Sequence, residues 1–176
     1  MNRFAVDPGW KVLLADIGLP VEELLALAEL PKDLFQRQQS RLTPAEYYRL
    51  WISMERMTGE PRLPILLLKA LSSEVFDPAS FAALCSPNLS VAVRRIRQFK
   101  PLIGPMSLML EESGQGLQLT IGFGSCPWPA PSSLVAVELG YFVQLARMGT
   151  RHGIVPEQVV SPLRLEPATD FSAFFG

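Results

Sequence analysis

The stretch SPNLSVAVRRIRQFKPLIGPMSLMLEESGQGLQLTIGF, residues 86–123, decides the fold, because its apolar residues change their spacing partway along it. In its first half they recur every three or four positions, which predicts a helix from Leu89 to about Leu102. In its second half they alternate with polar residues on both sides of the Gly-containing segment 113–116. This alternation predicts a β-hairpin near 106–123.

Helical signals dominate the chain on both sides of this stretch. Thr43 and Glu46 enclose Pro44 in a capping-box sequence, so a helix is predicted over 43–58, and Gly59 ends it. Further helices are predicted at about 8–17, after Pro20, at 64–71, at 77–84 and at 133–148.

The fold class expected from these elements is α+β: a mainly helical domain with a small antiparallel sheet. Alternating residues near 158–165 predict a third strand, in which Pro162 would have to lie at an edge or a bulge. The chain of 176 residues suits a single domain, so 1–176 is interpreted as one unit.

Composition excludes several classes of function. The 16 basic and 17 acidic side chains give a net charge of −1, which argues against nucleic-acid binding by this segment alone. Cys85 and Cys126 form no Cys-x-x-Cys pair, and the N-terminus does not look like a signal peptide, so a reducing cytoplasm is expected. No apolar run reaches the ~20 residues that a membrane span needs, and no membrane association is expected.

The inventory of reactive side chains does not favour an enzyme. The chain has one histidine, His152, and no Gly-x-Ser-x-Gly elbow, phosphate-binding Gly-rich loop or metal-spaced set of His and Cys. His152 is interpreted as a solvated residue just past a helix C-terminus. No catalytic residue, metal site or cofactor is therefore predicted.

Four motifs follow one another in a recognisable order. The capped helix that opens at Leu42-Thr43 closes on Thr-Gly-Glu-Pro at 58–61, and Ser-Pro-Asn-Leu then opens the basic, apolar helix that starts at 86. The hairpin comes next, and the chain ends in the aromatic-rich DFSAFFG at 170–176. This order resembles the N-terminal arabinose-binding domain found in one branch of the AraC/XylS transcription regulators.

The sequence departs from the family pattern in places. Asn88 stands where the family usually has Thr, which keeps a side chain able to cap the helix. Pro64 interrupts a segment that other members usually keep helical. The family continues beyond Phe-Gly with another strand, a linker and two helix-turn-helix units, so the chain is interpreted as a fragment without the C-terminal DNA-binding domain.

The resemblance implies an effector-sensing and dimerisation domain of a bacterial regulator. Such a domain is cytoplasmic and homodimeric, binds a small metabolite, and controls an attached domain that makes the contacts to DNA. The sugar in the family name does not carry over, because members respond to varied metabolites.

Four residues are candidates for ligand binding. Glu138 lies on a helix face expected to be buried, where a carboxylate needs a partner. That partner is either an effector or an internal cation, namely an Arg of the Leu89 helix or Arg164. Tyr141 and Trp51 offer aromatic walls to a pocket, although Trp51 also suits the core. Arg97 belongs to a basic helix face, interpreted mainly as solvated, which also includes Arg94, Arg95 and Lys100.

Two features of the assembly are also predicted. A cavity is expected between the hairpin and the Leu89 and Leu134 helices, because ligands bind at interfaces between layers. The apolar segment 63–71 supplies either a dimer interface or the core.

Two alternatives from other classes stay open. A haem or gas sensor would use His152 as an axial ligand. A protein-interaction module would bury its apolar helices against a partner and have no pocket.

Overall fold

The computed structural model describes residues 3–37, 39–59, 61–72, 76–114, 116–124 and 126–176. Within these ranges the chain is α+β and mainly helical, as predicted. Its elements, in order, are β1 (Phe4–Ala5), α1 (Gly9–Asp16), α2 (Val21–Leu27), β2 (Arg41–Leu42), α3 (Pro44–Thr58), α4 (Leu63–Ala70), α5 (Pro78–Leu84), α6 (Leu89–Ile103), β3 (Ser107–Ser113), β4 (Gly116–Gly122), α7 (Ser132–Thr150) and α8 (Ala168–Phe175).

Local side-chain caps fix where three of the helices begin. At α3 the Thr43 hydroxyl accepts the Glu46 amide while the Glu46 carboxylate accepts the Thr43 amide, so the predicted capping box is confirmed. The Asn88 side chain accepts the Val91 amide at 2.9 Å and starts α6. The Asp77 carboxylate accepts two amides at the start of α5.

The predicted hairpin is confirmed as an antiparallel pair of strands. Strand β3 pairs with β4 from Ser107 opposite Gly122 to Ser113 opposite Gly116. The residue at the tip of the predicted turn, Gln115, lies outside the described residues. A second small sheet, which the sequence did not predict, pairs β1 with β2 antiparallel.

The prediction of a third strand near 158–165 is wrong. These residues form no strand, and most are exposed or half-buried. Pro162 has no N–H to donate to a ladder, and a strand here would have no buried face to stabilise it. Helix α8, where Phe171 is buried against α4 and α7, was not predicted from the sequence.

Helix α4 lies in the core. Leu63, Ile65, Leu67 and Leu68 are all buried within the chain itself. At Gly140 of α7 the two helices come so close that a Cβ would overlap the Leu68 side chain. The segment 63–71 therefore packs mainly in the core, which was one of its two predicted roles.

The prediction that Lys100 lies on a solvated face of α6 is wrong. Ala92, Val93 and Ile96 are buried, Lys100 is only 5% exposed, and Phe99 is 39% exposed. Position 100 follows 93 and 96 at helical spacing, so the backbone places Lys100, and not Phe99, toward the core.

Candidate functional site

A cavity of about 320 Å³ lies where α1, α3, α4, α5, α6 and α7 meet. Its volume falls within the range of small-molecule sites, about 300–1,000 Å³. It is lined by Ala5, Val6, Asp7, Pro8, Trp10, Leu13, Gln39, Ser40, Tyr47, Trp51, Leu67, Leu71, Phe76, Asp77, Pro78, Ser80, Lys100, Ile103, Val137, Glu138 and Tyr141.

Helix α7 provides one wall of the cavity. Val137, Glu138 and Tyr141 lie on one face of the helix, because residues three and four positions apart are neighbours on its surface. The close contact between Gly140 and Leu68 holds α7 against α4 beside this wall. The glycine thus places the polar groups of α7 next to the apolar side chains of α4.

A buried ion pair crosses the cavity wall from α6 to α7. Lys100 Nζ lies 2.6 Å from Glu138 Oε2, and the two side chains are only 6% and 8% exposed. The contact is short, but its angles are not those of a hydrogen bond. Lys100 Nζ also lies 4.8 Å from the centroid of the Tyr141 ring. The pair therefore contributes one charge of each sign to a largely apolar cavity.

Aromatic side chains form much of the remaining wall. Trp10 and Trp51 pack edge to face with centroids 5.8 Å apart, and the Tyr47 centroid is 6.5 Å from that of Trp51. On the other side, Phe76 and Tyr141 are 6.2 Å apart. These rings offer a planar ligand both edges and faces to pack against.

A chain of hydroxyl groups anchors Tyr141. The Tyr141 hydroxyl donates to Ser80 Oγ at 2.6 Å, and the Ser80 hydroxyl donates to Asp77 Oδ2 at 2.8 Å. Burial raises the pKa of Tyr141 above its ordinary value. Tyr141 is therefore neutral at physiological pH. The hydrogen bond to Ser80 of α5 orients its ring.

Two further groups at the cavity are polar and neutral. Burial raises the pKa of Tyr47, the negative charge of Glu138 raises it further, and the Trp51 indole partly offsets the rise. The Trp51 N–H is buried and makes no hydrogen bond of good geometry to any described group. An unpaired buried donor is unfavourable, so a ligand oxygen that reached this N–H would be stabilised.

Three of the four predicted ligand residues line this cavity: Glu138, Tyr141 and Trp51. The fourth, Arg97, is exposed on α6 and does not line it. The partner predicted for Glu138 was either an effector or an internal arginine. The structure instead places Lys100 there, on the predicted helix, while Arg164 pairs with the nearby Glu166.

The predicted position of the cavity is wrong in one respect. Helices α6 and α7 line it as expected, but none of the described residues of the hairpin β3–β4 does. The segment 5–8 and helices α1 and α3 take the place of the hairpin. The hairpin packs instead against a separate apolar cluster with Val93, Ile96 and Phe142.

Sequence reasoning missed Lys100 as a site residue. Its position on the apolar face of α6 was a usable signal, but it was grouped by residue type with three exposed arginines. Trp10 was also missed, since its role depends on packing between α1 and α3, which are distant in the sequence.

A smaller cavity of about 190 Å³ lies between the α5–α6 connection and the last turn of α7. The residues that line it include Pro87 and Asn88 and carry no charge. His152 is exposed beyond the end of α7, as predicted, and its Nδ1 lies 2.6 Å from the Thr150 carbonyl oxygen. Neither feature combines aromatic walls with buried charged groups, as the larger cavity does.

The fold and cavity define a class: a mainly helical α+β domain with a small-molecule-sized cavity that contains a buried ion pair. A family model described as the arabinose-binding domain of AraC transcription regulators, N-terminal, matches residues 18–176. The chain belongs to this family. No curated protein matches the chain. Within the described residues, no helix has both the length and the apolar character needed to cross a membrane.

Proposed function

We propose that this chain is the effector-sensing domain of an AraC-type transcription regulator and that the effector binds in the 320 Å³ cavity. The observation that carries the proposal is the cavity itself, which joins aromatic walls to the buried Lys100–Glu138 pair. A module that acts only through its surface would not need such a cavity. Family membership supports the same conclusion.

The domain acts by binding and not by catalysis. The ionisable groups at the cavity are occupied with structural contacts: Lys100 with Glu138, Asp77 with the start of α5, and Asp7 with the Gly9 amide. An effector should therefore be recovered chemically unchanged after incubation with the protein. Appearance of a product that depends on the protein would contradict this part of the proposal.

Effector binding is tested by thermal-shift screening of the domain against a metabolite collection. A ligand that binds only the folded state raises the melting temperature by an amount that grows with the ratio of its concentration to its Kd. Trp10 and Trp51 lie at the cavity, so the same ligand should change the intrinsic tryptophan fluorescence.

A matched pair of variants places the ligand in the cavity. Val137→Phe puts a bulky ring into the cavity wall and should abolish the thermal shift. Val12→Phe makes the same change on α1, where Val12 is 44% exposed and does not line the cavity, and should leave the shift intact. Equal responses of the two variants would place the ligand elsewhere.

The regulatory part of the proposal concerns assembly. Dimerisation of the domain would bring two attached DNA-binding domains to paired half-sites, as in other twofold regulators. Light scattering should return a dimer mass, and a monomer mass at high concentration would contradict it. Joined to a helix-turn-helix domain, the sensor should alter DNA affinity when effector is added.

A further inference from the structure

We infer that the effector is a molecule of zero net charge with a flat, largely apolar body of about two fused rings and a polar group at one end. This inference rests on the proposed function and names the chemical class that the cavity takes. It does not follow the sugar in the family name.

The size of the ligand follows from the cavity volume. A dry cavity of about 150 Å³ is large enough to bind benzene. The cavity here has about 320 Å³, roughly twice that volume, which suits a bicyclic body.

The apolar, planar body follows from the walls. Rings of Trp10, Trp51, Phe76 and Tyr141 surround the cavity, together with aliphatic side chains such as Leu67 and Ile103. Several of the polar side chains that line it are already engaged. Asp7 and Asp77 accept helix amides, and the Ser40 hydroxyl donates to the Leu34 carbonyl at 2.6 Å. A polyhydroxylated ligand would leave many of its hydroxyls unpaired there, which is unfavourable.

The zero net charge follows from the ion pair. Lys100 and Glu138 lie 2.6 Å apart and, among the described residues that line the cavity, are the charged ones that are buried. Asp7 and Asp77 also line it, but they are half-buried and each accepts amides at the start of a helix, where the partial positive charge offsets their own. A ligand with a net charge would meet attraction from one member and repulsion from the other, and it would leave one charge in the cavity uncompensated. A neutral polar group instead interacts with both members, and its oxygen can accept the unpaired Trp51 N–H.

Three compounds that share a naphthyl body and carry a neutral, a negative or a positive polar group test the inference on the unaltered protein. They are 2-naphthylacetamide, 2-naphthylacetate and 2-(2-naphthyl)ethylamine, measured by titration calorimetry at pH 7 beside L-arabinose. We expect the amide to bind at least about tenfold more tightly than the acid or the amine, because an uncompensated buried charge is strongly unfavourable. An acid or amine that binds as tightly as the amide overturns the inference.

Variants of the ion pair should switch the preference. Glu138→Gln leaves Lys100 as the sole fully buried charge at the cavity, so the acid should gain at least about tenfold relative to the amide. Glu111→Gln removes the same kind of charge from an exposed position on β3 and should not change the ranking. A Glu111 effect equal to that of Glu138, or no switch in a folded Glu138→Gln protein, counts against the inference. The series on the unaltered protein remains decisive if that variant does not fold.

The outcomes separate this inference from the proposed function. Binding of L-arabinose or another polyol in the cavity, with none of the naphthyl compounds bound, overturns the ligand class and leaves the sensor function standing. If neither these compounds nor the metabolite collection binds, both are contradicted.

Discussion

The Arg147 guanidinium of α7 lies 5.0 Å from the centroid of the Phe174 ring on α8. The same side chain donates from Nε to the Ile154 carbonyl at 2.8 Å and from Nη2 to the Phe175 carbonyl at 3.3 Å. One arginine thus joins the end of α7, the loop that follows it and the end of the chain. Helix α7 also carries Glu138 and Tyr141. The same helix therefore lines the cavity on one part of its length and contacts α8 through Arg147.

We expect Arg147→Ala to lower the free energy of unfolding by about 2 kcal/mol, through loss of two charged hydrogen bonds and a cation–π contact. Hydrogen exchange should rise mainly in α8. Lysine cannot replace the planar fork of donors, so Arg147→Lys should restore only part of the stability. Arg151→Ala, at an exposed position just past α7, is the matched control and should have little effect.

The tyrosines should resist ionisation while the protein is folded. The chain has three, and burial raises the pKa of Tyr47 and Tyr141 and raises that of Tyr48 to about 12. An absorbance titration of the folded protein should show no phenolate signal with a midpoint near 10, the ordinary tyrosine value, whereas the denatured protein should show one at about 10. A normal native titration would mean that these rings are solvated.

The same tyrosines make stability depend on alkaline pH. Their folded pKa values lie above the unfolded value, so their contribution is fully present below pH 10. It is lost as pH rises above that value, because the unfolded state then releases protons first. The slope reaches about 1.4 kcal/mol per pH unit for each tyrosine.

Gly140 should not tolerate a side chain. Its Cβ would overlap Leu68, which is fully buried and has little room to move, so Gly140→Ala should cost about 1–3 kcal/mol. Adding Leu68→Ala should then cost less than it does alone, because the overlap is relieved. Gly149→Ala, near the end of the same helix with its nearest atom at 3.8 Å, should be neutral or stabilising by up to about 1 kcal/mol.

The capping box predicts a different dependence on pH. A backbone hydrogen bond from Thr43 lowers the pKa of Glu46, which burial opposes. The contribution of the Glu46 carboxylate should therefore be present at neutral pH and lost as pH falls through its lowered pKa. Denaturation at pH 7 and pH 3 should show a smaller acid loss in Glu46→Gln than in the unaltered protein, by less than about 1 kcal/mol. Glu157→Gln, in an exposed loop, should not reduce that loss.

Most helices could be predicted from the sequence because their signals are local. The caps at Thr43, Asp77 and Asn88 involve residues within three positions of each other, and the structure uses each one. The pairing of β1 with β2 could not be predicted, because each strand has only two residues and α1 and α2 separate them in the sequence. Helix α8 has no side-chain cap to mark its start, and Phe171, Phe174 and Phe175, although at helical spacing, make a run too short to identify a helix from the sequence.

The candidate site was predictable only in part, for a similar reason. Glu138 could be identified because helical spacing alone places it among buried residues. To predict its partner, the buried faces of two helices have to be compared. Lysine is usually solvated, so Lys100 was predicted to be exposed, although it lies one turn after Ile96 on the same face of α6. The contribution of residues 5–8 depends on long-range packing that no local pattern encodes.

The buried ion pair should be strongly non-additive in stability. Lys100→Met or Glu138→Leu alone leaves one charge buried without its partner, and each should cost about 3 kcal/mol. The double variant replaces both charges with apolar groups of similar size, so it should recover most of this loss. Urea denaturation of the unaltered protein, the two single variants and the double variant gives the coupling energy directly.

The exposed pair of Arg94 and Glu112, whose side chains are 60% and 45% exposed, provides the control. Arg94→Met and Glu112→Leu should each cost less than about 1 kcal/mol, with little coupling, because solvent screens the charges. Additive losses at Lys100 and Glu138 would show that water reaches the pair and that the cavity is open to solvent.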